Sequence, residues 1–227
     1  MPPQHPSSPP LAAPKSVFLV DDHPVFLEGL SSILSQVPGL LICGKADCAP
    51  QALDEILRLS PDLVLMDISL PGKSGLELLQ ELIAHAPLSA VLVISMHDET
   101  LYAERVLRAG GRGYVMKQED PEKILAAITT VLSGQVYASP RTAASILESL
   151  SRPRSAPLSS LLTKLTAREL EILRLTGQGK DNRRIAEELS ISLKTADTHR
   201  AHIKEKLGFK NSTEFVHYAV RWVGDQV

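Results

Sequence analysis

Two cysteines, Cys43 and Cys48, are all that this chain of 227 residues contains. So small a set excludes a disulfide framework, nothing in the spacing resembles a zinc set, and both read as buried or half-buried thiols. Long apolar runs are also missing. None approaches the ~18 residues that a membrane-spanning helix requires. No basic stretch followed by an apolar core opens the chain, so residues 1–14, rich in Pro and Ser, read as a disordered tail and not a secretion signal. The cytoplasm is the expected compartment, with no membrane partner.

What the chain does hold is the composition of a globular protein, 44% apolar and 22% charged. Its length predicts two domains. Charge divides unevenly between them: through Ser160 there are 12 Lys/Arg against 17 Asp/Glu, a net of −5, and from Leu161 onward 12 against 9, a net of +3. An acidic first half points to a metal site, and a basic second half to a polyanion.

Residues 15–135 alternate short apolar strands with amphipathic helices. Strands are expected at 16–20, 40–44, 63–66, 90–95 and 113–116, several of them unbroken apolar runs of the kind covered on both faces. Helical spacing appears in Val25, Leu30, Ile33 and Leu34, in Ala52, Leu53, Ile56 and Leu57, and in Leu76, Leu79, Leu82 and Ile83. A fourth helix runs over about 99–109 to Gly110-Gly111, and a fifth from Pro121 to Gly134. Five βα units predict an α/β doubly wound, parallel five-stranded sheet. Residues 136–160, broken by Pro and rich in Ser, read as a linker with a short helix over 142–150. Residues 161–227 read as a small all-α domain without a convincing strand. There Thr166 and Glu169 form a capping box, Asp181 caps a second helix, Gly208 ends a third over 193–207, and Asn211 or Ser212 opens a fourth. The tight turn Ser190-Ile191-Ser192 between the second and third makes a helix-turn-helix.

Three aspartates sit where predicted strands end. Asp21 and Asp22 close 17–20, and Asp67 closes 63–66. Parallel strands share one C-terminal edge, so all three carboxylates can meet in one pocket. Such a cluster is stable only around a divalent cation, which points to Mg²⁺ and phosphoryl chemistry. Asp67 is the expected nucleophile and phosphoacceptor. Asp22 is expected to bind metal directly, Asp21 directly or through water, and the Ser69 backbone carbonyl is a further ligand. Lys117 and Ser95, ending the fifth and fourth strands, can offset and hydrogen-bond the phosphoryl oxygens. One strand-end Asp is ordinarily a turn former; five suitable groups on four strand ends are not.

The segments Val20-Asp21-Asp22-His23-Pro24, Met66-Asp67-Ile68-Ser69-Leu70-Pro71-Gly72 and Gly113-Tyr114-Val115-Met116-Lys117 resemble response-regulator receiver domains. The C-terminal module, with Leu165-Thr166-Ala167-Arg168-Glu169, Asn182, Ile185-Ala186 and Lys194-Thr195-Ala196, resembles the LuxR/NarL type of DNA-binding domain. The resemblance implies a flavodoxin-like strand order 2-1-3-4-5 and a histidine kinase as phosphodonor. It also implies Mg²⁺-dependent self-phosphorylation and self-dephosphorylation at Asp67 as the only catalysis. Ser95 and Tyr114 would form a switch, the hydroxyl drawn to the new phosphoryl and the ring turning into the space it vacates. Ser69 and His97 fall where the family tunes phosphate lifetime, and Met96 where a smaller residue is usual.

Helical geometry sorts the third helix of the module. Ala196, Ile203 and Leu207, with His199 beside them, are expected to pack on Ile185, Ala186, Leu189, Leu170 and Leu173. The opposite face carries Lys194, Thr198, Ala201 and Glu205, flanked by Asp197 and His202, and its N-terminal half would meet the major groove. Lys194, Thr195, Arg200, Lys204 and Lys206 are expected phosphate or base contacts. A net of only +3 predicts modest affinity per module and a homodimer on paired half-sites of double-stranded DNA. Three rival readings are weaker. An aspartyl-phosphate hydrolase needs an acid two residues after its nucleophile, where Ser69 stands. A flavin or nucleotide site needs a phosphate-cradling first loop, which Asp21-Asp22 would repel. A regulator governed by association alone would not need the acidic set.

Overall fold

The computed structural model describes residues 14–71, 73–151, 162 and 164–224. Most of the expected tail and residues 152–160 of the expected linker lie outside them. Five strands, β1 (Lys15–Val20), β2 (Leu40–Ala46), β3 (Leu63–Met66), β4 (Ala90–Ser95) and β5 (Gly113–Met116), form one all-parallel sheet in the order β2-β1-β3-β4-β5. Between and after them run α1 (Pro24–Ser35), α2 (Ala49–Leu59), α3 (Gly75–His85), α4 (Glu99–Arg108) and α5 (Pro121–Leu132).

The apolar runs are continuous because both faces of the sheet are covered. Val17, Leu19, Leu65 and Ile94 face a cluster completed by Leu27, Leu30 and Leu34 of α1 and Ile124, Ile128 and Val131 of α5. Phe18, Val20, Val64 and Met66 face the other way, into Ile56 of α2, Leu79 and Leu82 of α3 and Val106 of α4. Strand order reverses between β1 and β3, and open α/β sheets bind ligands in the crevice beyond such a reversal.

β2 continues two residues past the expected end at 44, because Lys45 and Ala46 pair with Leu19 and Val20. Lys45 concealed this. Its ammonium leaves the sheet to meet Glu28 of α1 at 2.9 Å.

After α5 the chain returns to the sheet, where Tyr137 donates its N–H to Arg112 O at 2.9 Å. It then forms α6 (Pro140–Ser151), which lies against α4. The helix begins earlier than expected because Ser139 Oγ accepts from Thr142 N at 3.1 Å and Pro140 suits a first helical position.

The C-terminal part holds α7 (Ala167–Gly177), α8 (Asn182–Glu188), α9 (Leu193–Leu207) and α10 (Ser212–Gly224). The Thr166–Glu169 capping box is present, Asp181 caps α8 at 2.9 Å, and Gly208 ends α9 at φ 75°. Leu170, Leu173, Ile185, Leu189 and Ile203 share the expected buried cluster. That cluster is continuous with the α2–α4 side of the sheet, so the two parts are packed together. Arg105 of α4 reinforces the junction, donating to the carbonyls of Leu162 and, at 2.7 Å, Leu165.

Candidate functional site

Asp67 leaves β3 at the strand reversal and is almost wholly buried. Its backbone N–H donates to Val20 O at 2.9 Å, which sets it beside the end of β1. Gly75 lets α3 begin directly behind it: a Cβ there would lie 2.3 Å from Asp67 O. Asp67 Oδ1 accepts from Ser95 Oγ at 2.6 Å and from the Ser69 N–H at 3.1 Å. Asp67 Oδ2 lies 2.7 Å from Lys117 Nζ, which also reaches Asp21 Oδ2 at 2.6 Å.

Asp21 is buried, and burial followed by the Asp67 charge raises its pKa, against the pull of Lys117. Asp22 is exposed, with His23 Nδ1 2.8 Å from its Oδ1. His23 also donates its backbone N–H to Asp21 Oδ1 at 3.0 Å, which fixes the loop after β1. Oxygens of Asp21, Asp22 and Asp67, with a His23 nitrogen, lie within 4.8 Å of one another. Three carboxylates face a single ammonium. Hard oxygen donors in that number fit a divalent cation of the Mg²⁺ type.

Tyr114 is buried, and its Oη donates to His97 O at 2.7 Å. Burial raises its pKa far above the ordinary tyrosine value. Ser95 and Tyr114, the expected switch pair, are both buried in this structure. Met96 is exposed on the rim of a groove between α1 and α5 that Lys117 also lines.

On α9, Lys194, Thr195, Asp197, Thr198, Ala201 and His202 are exposed on an uncovered face. Three expected contacts are engaged within the module. Arg200 donates to Asn182 Oδ1 and lies 5.0 Å from the Phe215 ring centre; Lys206 Nζ sits 2.7 Å from Glu169 Oε2; Lys204 Nζ reaches Ser212 Oγ at 3.4 Å. Asp197 accepts from Asn182 Nδ2. His199 is half-buried, and burial lowers its pKa, consistent with a packing residue.

Comparison with known proteins agrees with both halves. A family model described as the response regulator receiver domain matches residues 17–129, and one for bacterial regulatory proteins of the luxR family matches 163–219. Oxygen regulatory protein NreC of Staphylococcus aureus is 35% identical over 209 residues, covering 90% of this chain and 96% of its own. This chain belongs to the LuxR family of response regulators. Among solved structures, a LuxR-family two-component response regulator from Aurantimonas sp. SI85-9A1 is 31% identical at a TM-score of 0.57, covering 62% of this chain and 100% of its own. RcsB of Salmonella typhimurium, at 24% identity, supports the fold alone, with a TM-score of 0.63 over 92% of this chain and 98% of its own.

In this regulator one group close to the Asp67 pocket went unread in the sequence. Glu171 of α7 reaches Ser69 Oγ at 3.2 Å and His97 Nε2 at 3.3 Å. The signal was faint: a Glu three residues after Arg168 resembles a surface helix pair, yet both side chains are buried.

Proposed function

We propose that this regulator takes a phosphoryl group on Asp67 from a histidine kinase and, so modified, binds promoter DNA through α9 as a homodimer. The carrying observation is the convergence on Asp67: Lys117 and Ser95 on its two oxygens, with Asp21 and Asp22 within metal-sharing distance. In this reading residues 15–135 are the receiver, 136–160 the connection with α6 at its start, and 161–227 the DNA-binding domain. Such a protein works in the cytoplasm. No helix among the described residues is long and apolar enough to cross a membrane.

An Asp67 carboxylate oxygen attacks phosphorus as the donor's P–N bond breaks, and the imidazole leaves with the electron pair. Asp21, Asp22, Asp67 and the Ser69 carbonyl would hold Mg²⁺, which when bound neutralises charge on the transferring group. Lys117 stabilises one phosphoryl oxygen and the Ser95 hydroxyl donates to another. The site accepts a phosphoryl group and returns it to water. Ser69 has no acidic proton for a leaving alcohol, so turnover of phosphomonoesters is not its chemistry.

Outward-facing Lys194, Thr195, Asp197, Thr198, Ala201 and His202 are the proposed groove-facing residues. Arg200, Lys204 and Lys206 contribute to DNA only by leaving their present partners. The test is radiolabelling from acetyl phosphate with Mg²⁺, followed by DNA selection. Label should appear on the natural chain and vanish in Asp67→Asn, and a recurrent half-site should emerge only with phosphodonor. Label that persists in Asp67→Asn would sink this reading.

A further inference from the structure

The exposed face of α9 carries one acidic group that the module itself holds in place. Asp197, the fifth residue of the helix, accepts from Asn182 Nδ2 through its Oδ1. Asn182 cannot turn over to offer its oxygen instead, because Arg200 donates to Asn182 Oδ1. Arg200 is fixed in turn: it is half-buried, with its guanidinium carbon 5.0 Å from the centre of the buried Phe215 ring. These contacts tie one oxygen of the exposed Asp197 carboxylate, and among the described residues none takes its Oδ2. Its hydroxyl neighbours are already engaged. Thr198 Oγ1 donates to Lys194 O at 2.9 Å, and Thr195 Oγ1 lies 2.7 Å from Ser192 Oγ. A carboxylate at this place does little for the helix dipole, since it stands beyond the first turn where such charge acts.

We infer that Asp197 is a specificity-determining residue, accepting from the N4 amine of a cytosine, so that each half-site carries a cytosine where Asp197 meets the groove. The inference rests on α9 as the reading helix. A carboxylate offers acceptors only. In the major groove guanine presents N7 and O6 and thymine O4, all acceptors that an acidic oxygen repels. Adenine sets its N6 amine beside the N7 acceptor. Cytosine presents the N4 amine with no acceptor of its own. Base edges are met by residues near the start of a recognition helix, where Asp197 stands. A side chain already held by its own module also loses little freedom on binding. The same charge opposes the phosphates that Lys194 attracts, so it weakens binding to random duplex. In a half of the chain with a net charge of only +3, one such residue shifts the balance from affinity toward discrimination.

Asp197 also braces α8 on α9 through Asn182, so the test must separate reading from bracing. Asp197→Asn keeps an oxygen for Asn182 and turns the outer group from an acceptor into a donor. Asp197→Ala removes both. DNA selection with acetyl phosphate and Mg²⁺ would be run on the full chain and both variants, with thermal melting to verify folding. Titrations on duplexes carrying each base at the selected position would follow. The natural chain should require a cytosine at one position of the half-site. Replacing that cytosine should cost about five- to 150-fold in affinity, the usual worth of one good base contact. At that position Asp197→Asn should turn to a base that presents acceptors. Asp197→Ala should take all four bases nearly equally and bind random duplex more tightly than the natural chain does. A natural half-site without a required cytosine overturns the inference whatever the variants do. So does an undiminished cytosine preference in folded Asp197→Asn or Asp197→Ala, and both results leave α9 standing as the reading helix. No recurrent half-site from the natural chain removes the reading helix and this role of Asp197 together.

Discussion

Asp21 shows how a single residue can be costly to the fold and useful to the chemistry. Burial and the Asp67 charge raise its pKa, while Lys117 only partly compensates. The native state therefore holds this proton more tightly than the unfolded chain does. As pH rises from the ordinary carboxylate value of 3.8 through the raised native value, the fold loses stability, and above that native value the loss is complete. In chelator at pH 7, Asp21→Asn should be more stable than the natural chain, and the two should converge below pH 4. On the proposed reading magnesium should reverse the order, because it would bind the native site alone. At about 100 times its Kd it should stabilise the natural chain by about 2.7 kcal/mol and the variant by much less. Urea unfolding across pH, with EDTA or Mg²⁺, measures both. Equal gains from Mg²⁺ would mean that Asp21 is no ligand. The acidic trio was legible because carboxylates ending apolar runs have few structural explanations as a set. Glu171 was not, since its meaning depends on a contact 102 residues away along the chain.

Among the elements, the sheet was the most readable part. Apolar runs buried on both faces announce themselves, and the boundary at Lys45 was missed because a lysine can pair in an edge strand while its ammonium lies elsewhere. The four C-terminal helices were legible through their caps, Thr166, Asp181 and Gly208, which act locally. The role of Gly177 was not. It is the last residue of α7, and α10 packs directly against it. A Cβ there would lie 2.3 Å from Ala219 O and 2.5 Å from Val223. Neither the backbone nor a packed helix yields cheaply, so Gly177→Ala should destabilise by about 1–3 kcal/mol, the usual cost of overpacking. Gly179→Ala is the useful control: nothing lies near its Cβ, and its strain comes only from φ 81°. Denaturant midpoints for the two would separate crowding between helices from backbone strain, and a Gly177→Ala protein as stable as the natural one would refute the close approach.

At the scale of the whole molecule, the sequence left open whether the receiver covers the recognition helix. In this arrangement it does not. The receiver holds α7 through Glu171 and Arg105, while Lys194, Thr195, Thr198 and His202 on α9 face outward. Control by masking would raise the affinity of each module on phosphorylation. Control by tethering would leave a single module's affinity nearly unchanged and would free two modules to meet adjacent half-sites. The geometry favours tethering, since the DNA face is open and the joint is what is fixed. Binding to one half-site should thus change by no more than about twofold on phosphorylation, whereas paired half-sites should gain about a hundredfold or more, as linked binding events do. The salt dependence per half-site should stay constant, because the same basic side chains meet phosphate in both states. Titrations of full-length protein on single and paired sites, with and without acetyl phosphate, distinguish the two. An equal gain on the single site would show that phosphorylation uncovers the reading helix and that its exposure here does not govern binding.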